Sequence, residues 1–227
     1  MDRILRGEPG WEEALTRALR TVPRPIATDP RLLPRQADTG EASLEHPQRR
    51  NPPGLPPPRR DATLLLLYRG PDGELTLPLT VRRDHLRAHA GEVSLPGGAV
   101  DETDESPRAA ALREAWEEIG VPAEEVRLLG ALDEMWIPVS NFRLRPYVGA
   151  TAERPKLVPH TAEVASIVEL PVRLLTGPEA IVDRLIEGPG WSLRAGAYLH
   201  ADQVIWGATA RTLAMFASVL GHAATEG

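Results

Sequence analysis

The 227-residue sequence contains no cysteine, which excludes disulfide staples, zinc–thiolate sites and a thiol nucleophile together. Any metal must sit on oxygen or imidazole. Aromatic residues make up only 4% of the chain, so no basic, aromatic-rich segment offers bases a stacking surface. Lysine occurs once, at Lys156, and the arginine bias that results is explained by genome composition as well as by any need for bidentate contacts. No apolar run approaches the roughly 18 residues of a membrane span. Residues 1–20 are broken by Arg3, Arg6, Glu8, Glu12 and Glu13, unlike the apolar stretch of a secretory signal. Excess positive charge is missing too: 26 basic against 32 acidic residues give a net −6, the wrong sign for a protein that lives on nucleic-acid phosphates. These absences predict a soluble, cytoplasmic protein with neither a membrane nor a nucleic-acid partner.

What is present fits one domain with a substantial core, since 42% of residues are hydrophobic and 26% charged. Trp11, Leu15 and Leu19 recur every four residues and predict a short amphipathic helix over 11–20. From 21 to 60 the chain is irregular and proline-rich, ending in Asn51-Pro52-Pro53-Gly54-Leu55-Pro56-Pro57-Pro58. That composition rules out helix or central strand and reads as a packed arm or a linker. The expected organisation is therefore an N-terminal helix and arm over 1–60 and the main domain over 61–227. Within the latter, apolar runs and turn signals predict strands at 62–68, 75–81, 126–135, 142–150 and 164–170. Helical patterns fall at 107–119, 178–187 and 203–220. Mixed elements without a βαβ rhythm or internal repeat point to a compact α/β or α+β sandwich.

One helix carries the chemistry. Ser106 suits an N-cap, Pro107 the first helical position and Gly120 the residue past the end, while Pro122 blocks continuation. At 100° per residue, Ala109, Leu112, Trp116 and Ile119 form the expected core face, opposite Glu114, Glu117 and Glu118. Carboxylates spaced i, i+3 and i+4 repel one another. Only Arg113 is placed to compensate, reaching Glu117, so a hard divalent cation would supply the missing charge. Gly97-Gly98 just upstream could let backbone approach a ligand closely, although a Pro-Gly-Gly alone is usually a turn.

Taken together, residues 98–121 resemble the Nudix box, G-x5-E-x7-R-E-U-x-E-E-x-G-U with U aliphatic. Arg113-Glu114-Ala115-Trp116-Glu117-Glu118-Ile119-Gly120-Val121 matches position by position, with Ala115 small for U. Counting back from Arg113 makes Glu105 the first box glutamate, six residues from Gly98 where five are usual, so either the loop carries an insertion or Asp104 takes that role. Upstream, residues 79–98 are similar to the signature of coenzyme A pyrophosphatases, L-L-T-x-R-[SA]-x3-R-x3-G-x3-F-P-G-G. Thr80, Arg82, Arg87, Gly91 and Pro96-Gly97-Gly98 match; Pro78, Arg83 and Leu95 stand where leucine, a small residue and phenylalanine are usual. The helix start at 205–211 and the Glu163-Val164 pair also resemble that family.

The resemblance implies a Nudix-type α/β/α sandwich around a central mixed sheet, and a Mg²⁺- or Mn²⁺-dependent pyrophosphatase. It implies metal ligation by Glu114, Glu117 and Glu118 with the Gly98 carbonyl and Glu105. Arg113 would orient the carboxylates, and Glu114 or the loop residue Glu163 would serve as general base. Arg82, Arg87, Gly97 and Gly98 would contact a small nucleotide substrate, coenzyme A or a derivative. ADP-ribose, NADH and nucleoside triphosphates are the alternative substrates, and a catalytically silent nucleotide-binding module is the alternative from outside the enzymes. His85, His89 and His160 carry no metal spacing, and Trp206 and Met215 read as core.

Overall fold

The computed structural model describes residues 1–38, 40, 56–83, 91–188 and 190–225. Helices α1 (Asp2–Leu5) and α2 (Trp11–Thr21) open the chain, followed by β1 (Arg35–Gln36). Next come β2 (Arg59–Arg69), β3 (Leu75–Arg82), β4 (Val93–Ser94) and β5 (Gly97–Ala99), then α3 (Pro107–Ile119). The strands β6 (Arg127–Ala131), β7 (Met135–Ile137), β8 (Phe142–Ala150) and β9 (Val164–Pro171) follow. Last are β10 (Val182–Gly188), β11 (Trp191–His200), β12 (Gln203–Ile205) and α4 (Gly207–Thr225).

The main sheet runs β4-β3-β2-β8-β6, with β5 on β2, β7 on β8 and β9 on β3. It is mixed because β2 and β8 are parallel while the other pairs are antiparallel. The continuous apolar run of β2 reflects burial on both faces. Ala62, Leu64, Leu66 and Tyr68 pack with Ala110, Ala111, Ala115 and Ile119 of α3. Leu65 and Leu67 turn the other way, into the larger core that holds Leu213, Phe216 and Leu220 of α4. Helices thus cover both faces of the sheet, the sandwich expected from the sequence. Among the described residues no helix is long and apolar enough to cross a membrane.

The segment 1–38 belongs to that larger core, since Leu15, Leu19, Ile26 and Leu32 join it and β1 pairs with β11. Of the proline-rich tail of the arm, residues 51–55 lie outside the described residues, as do Arg87, His85 and His89.

Three assignments change. The strand expected at 126–135 is split into β6 and β7, with residues 132–134 between them outside any strand. The helix expected at 178–187 is instead β10, which pairs antiparallel with β11 from Val182↔Ala197 to Gly188↔Trp191. Ile181, Val182, Leu185 and Ile186 keep helical spacing, and the cross-strand partner, which no sequence pattern flagged, overrides it. The expected helix at 203–220 starts only at Gly207, because residues 203–205 pair as β12 with β11.

Candidate active site

Helix α3 starts and stops as its sequence dictates. The Ser106 hydroxyl accepts from the Ala109 N–H at 3.2 Å, and Gly120 closes the helix at φ 74°, donating its N–H to the Trp116 carbonyl. Its buried face differs from expectation. Ala110, Ala111, Ala115, Glu118 and Ile119 face the sheet, Ala109 and Leu112 are only partly buried, and Trp116 is 55% exposed. The alanine stripe lets the helix lie close against β2, where an indole would not fit. This rotation carries Glu118 inward, to 6% exposure.

Buried Glu118 accepts one backbone bond: the Gly97 N–H donates to its Oε2 at 3.2 Å. Burial drives its pKa up to about 8; the Gly97 bond and the Arg82 charge oppose that rise, while Glu114 and Glu163 add to it. Arg82, Glu114 and Glu163 therefore all act on one carboxylate, although they come from β3, α3 and the residue before β9. Glu114 is half-buried and raised by burial, which Arg113 partly offsets. Its carboxylate lies against Gly98 so closely that a Cβ there would sit 2.7 Å from Oε1.

Arg113 is the hub of the helix's outer edge. It donates to both Asp104 oxygens at 3.0 Å, to Glu114 at 2.9 Å, to Glu117 at 3.0 Å and to the Ala99 carbonyl at 3.2 Å. The Asp104 side chain is 5% exposed, and the Arg113 hydrogen bonds hold its pKa below the usual range. Glu105 is exposed, and of the two acids that the sequence offers for the first box position it is Asp104 that bonds Arg113. A five-residue gap from Gly98 lets the shorter acid reach the guanidinium while its Oδ2 also accepts the Asp101 N–H. Asp104→Asn is accordingly expected to lower turnover by roughly 10- to 100-fold through misplaced Glu114 and Glu117. Glu105→Gln should leave it unchanged, and the reverse ranking in kcat would return the role to Glu105.

The segment after β8 brings Glu163 to this place. The Val158 and His160 N–H groups donate to the Ile119 and Glu118 carbonyls, each at 2.9 Å, satisfying two helix-end acceptors. The Arg83 N–H then binds the Glu163 carbonyl at 3.0 Å. His160, exposed, contributes its backbone alone to these contacts.

Asp61 has no counterpart in the sequence reading. It lies opposite Ala99 on β2, burial lifts its pKa to about 6, and its charge reaches Glu114. An aspartate opening an apolar strand carries no sequence signal of such a neighbour.

The donor set suits a hard divalent ion, being all oxygen, with burial still holding the pKa values of Glu114 and Glu118 up against the opposing charges of Arg113 and Arg82. Among the described residues no three acidic or imidazole side chains form a ready cluster for a metal. Arg113 is the reason for Glu117, which is 52% exposed and bonded to it. Mg²⁺ commonly takes only one or two carboxylates and fills its shell with water and substrate phosphate, so the Glu114–Glu118 pair is compatible with it.

Residues 58–181, over half of the chain, match the NUDIX domain model. The chain belongs to the Nudix family. It is a Nudix hydrolase, acting on pyrophosphate bonds. A relative from Pectobacterium atrosepticum, called uncharacterized Nudix hydrolase NudL, is 39% identical over 135 residues, 60% of this chain and 70% of its own length. Its namesake from Yersinia pestis is 37% identical over 152 residues, 67% and 75% of the two chains. Among solved structures, a MutT/nudix family protein from Enterococcus faecalis is 17% identical at a TM-score of 0.49, covering 78% of this chain and 66% of its own. The Nudix hydrolase RenU of M. smegmatis is 28% identical at 0.43, covering 50% and 71%.

Proposed function

We propose that this Nudix hydrolase cleaves the diphosphate of coenzyme A, or of its derivatives, into 3′,5′-ADP and 4′-phosphopantetheine with Mg²⁺ or Mn²⁺. The observation that carries the reading is the placement of Arg82, the signature arginine at the end of β3, within electrostatic reach of the buried box carboxylate Glu118. A phosphate beside that carboxylate needs a cation, and a guanidinium matches it with two parallel hydrogen bonds.

A bound divalent ion would supply charge neutralisation at the bridging and leaving oxygens. Glu114, Glu118 and the Gly98 carbonyl would hold it, joined by Glu117 once that side chain swings from Arg113. The chain's own residues do the rest. Water attacks one phosphorus in line, the bond to the bridging oxygen breaks, and Glu163 or Glu114 takes the proton. Arg82, with Arg87, holds the diphosphate for that attack. Arg113 keeps Glu114 oriented and holds Glu117 until a metal draws it away, and the Gly97 N–H keeps Glu118 turned inward.

Incubation with coenzyme A and Mg²⁺ or Mn²⁺ is expected to release phosphopantetheine, read by mass. ADP-ribose, NADH and nucleoside triphosphates run in parallel. Faster cleavage of any of these would replace the substrate assignment, and tight binding without metal-dependent turnover would replace the enzymatic one.

A further inference from the structure

Arg82 ends strand β3 and Arg83 follows it, and both have a buried Nε without a hydrogen-bond partner. Neither forms an ion pair among the described residues. Buried N–H groups of native proteins are almost always satisfied, and here the Nε–H of two half-buried arginines is not. Groups of this kind, beside a site that must hold an anionic substrate, are poised for ligand oxygens.

The two side chains do not duplicate each other. Leu75, Leu77, Leu79 and Val81 alternate into the larger core, which leaves Arg82 on the α3 side, consistent with its effect on Glu118. Successive residues of an extended chain project in opposite directions, and the register of β3 against β9 shifts between Val81 and Arg82. The backbone is pinned on both sides: the Arg82 N–H donates to the Glu92 carbonyl, and the Arg83 N–H to the Glu163 carbonyl, each at 3.0 Å. Arg83 thus starts from a fixed point beside Glu163, on the residue next to the one that serves the diphosphate. It also stands where the signature that this segment resembles has a small residue, so the added cation is a property of this chain.

We propose that Arg83 is a specificity-determining residue, its guanidinium taking a phosphate monoester on the nucleoside half of the substrate. The inference rests on the coenzyme A reading above and deepens it. A phosphomonoester is the group that separates coenzyme A from its dephospho form, and its dianion matches a planar guanidinium fork.

The test compares wild type, Arg83→Ser and Arg83→Lys. Serine is the size that the signature has at this position, so the fold is expected to tolerate it. Arg83→Ser should lower kcat/KM for coenzyme A by about tenfold to 100-fold, as removal of a charge-assisted contact does, and leave that for dephospho-coenzyme A unchanged. Arg83→Lys should recover part of the loss. Equal losses on both substrates, or none on either, would overturn the proposal. A second measurement needs no turnover: with metal chelated, adenosine 3′,5′-bisphosphate is expected to bind wild type more tightly than 5′-AMP by calorimetry, and Arg83→Ser to erase that preference. Should coenzyme A prove not to be cleaved while the preference vanishes in the variant, the substrate assignment falls and the Arg83 site stands. Should coenzyme A be cleaved while the preference is unaltered by the variant, the Arg83 site falls alone.

Discussion

Glu118→Gln is expected to reduce turnover by on the order of 10³-fold while raising the melting temperature of the metal-free protein near pH 8. Glutamine keeps the shape and an oxygen for the Gly97 N–H but removes a charge that burial disfavours. The sign follows from proton binding. The folded protein holds the Glu118 proton up to about pH 8, whereas an unfolded chain releases it near the ordinary carboxylate value of about 4.3. Between those limits the native state binds more protons, so metal-free stability falls as pH rises. The glutamine variant lacks that slope. Calorimetry in chelator at pH 6 and pH 8, beside kcat/KM with Mg²⁺, reads both effects. Near wild-type turnover would remove Glu118 from the reaction, and an unchanged melting temperature at pH 8 would show that its charge is compensated in the metal-free state. Glu117→Gln gives the contrast: exposed and bonded to Arg113, it should lose turnover without gaining stability.

The two glycines ahead of the box should fail in different ways when changed to alanine. A Cβ on Gly97 would lie 2.4 Å from the Ala62 carbonyl oxygen and 2.6 Å from the Thr63 Cα. Both are backbone atoms of β2, the strand to which Gly97 is paired. Nothing there can yield cheaply, so Gly97→Ala should cost about 2–3 kcal/mol of stability, the upper range for overpacking, and displace the Glu118 acceptor with it. On Gly98 the three atoms nearest the Cβ would all belong to the Glu114 carboxylate, 2.7–3.0 Å away, the far end of a side chain that can turn. Gly98→Ala should therefore fold to within about 1 kcal/mol of wild type yet lose roughly 100-fold in kcat through a misplaced Glu114. Urea melts and single-turnover rates on both variants decide the matter. Equal stability loss in the two, or full activity in Gly98→Ala, would contradict this account.

Local signals account for the elements that were legible. The capped helix at α3 and the strands β2, β3, β8 and β9 follow from apolar runs, turn residues and end chemistry that act within a few residues. Elements that depend on a distant partner were not legible. The β10–β11 hairpin takes its form from pairing between its own strands and with β1, and the helical spacing of residues 178–187 yields only once that partner exists. The box carboxylates divide the same way. Their presence on one helix is written in the spacing, but which of them is buried depends on the rotation of α3, and that was set by three alanines fitting against β2 rather than by the bulk of Trp116. The count along the chain likewise left Asp104 and Glu105 equal, and only the fold shows that Asp104 is the one in reach of the Arg113 guanidinium.

By itself the sequence determined the reaction class and the helix that bears it, because a Nudix box is a local pattern whose chemistry needs its residues close in the chain. Only the tertiary structure decided that Glu118 is the buried acid, that Arg82 and Glu163 face it, and that Asp61 stands near Glu114. Burial and charge coupling are sums over neighbours from separate strands and loops, and those neighbours meet only when the sheet has closed against α3.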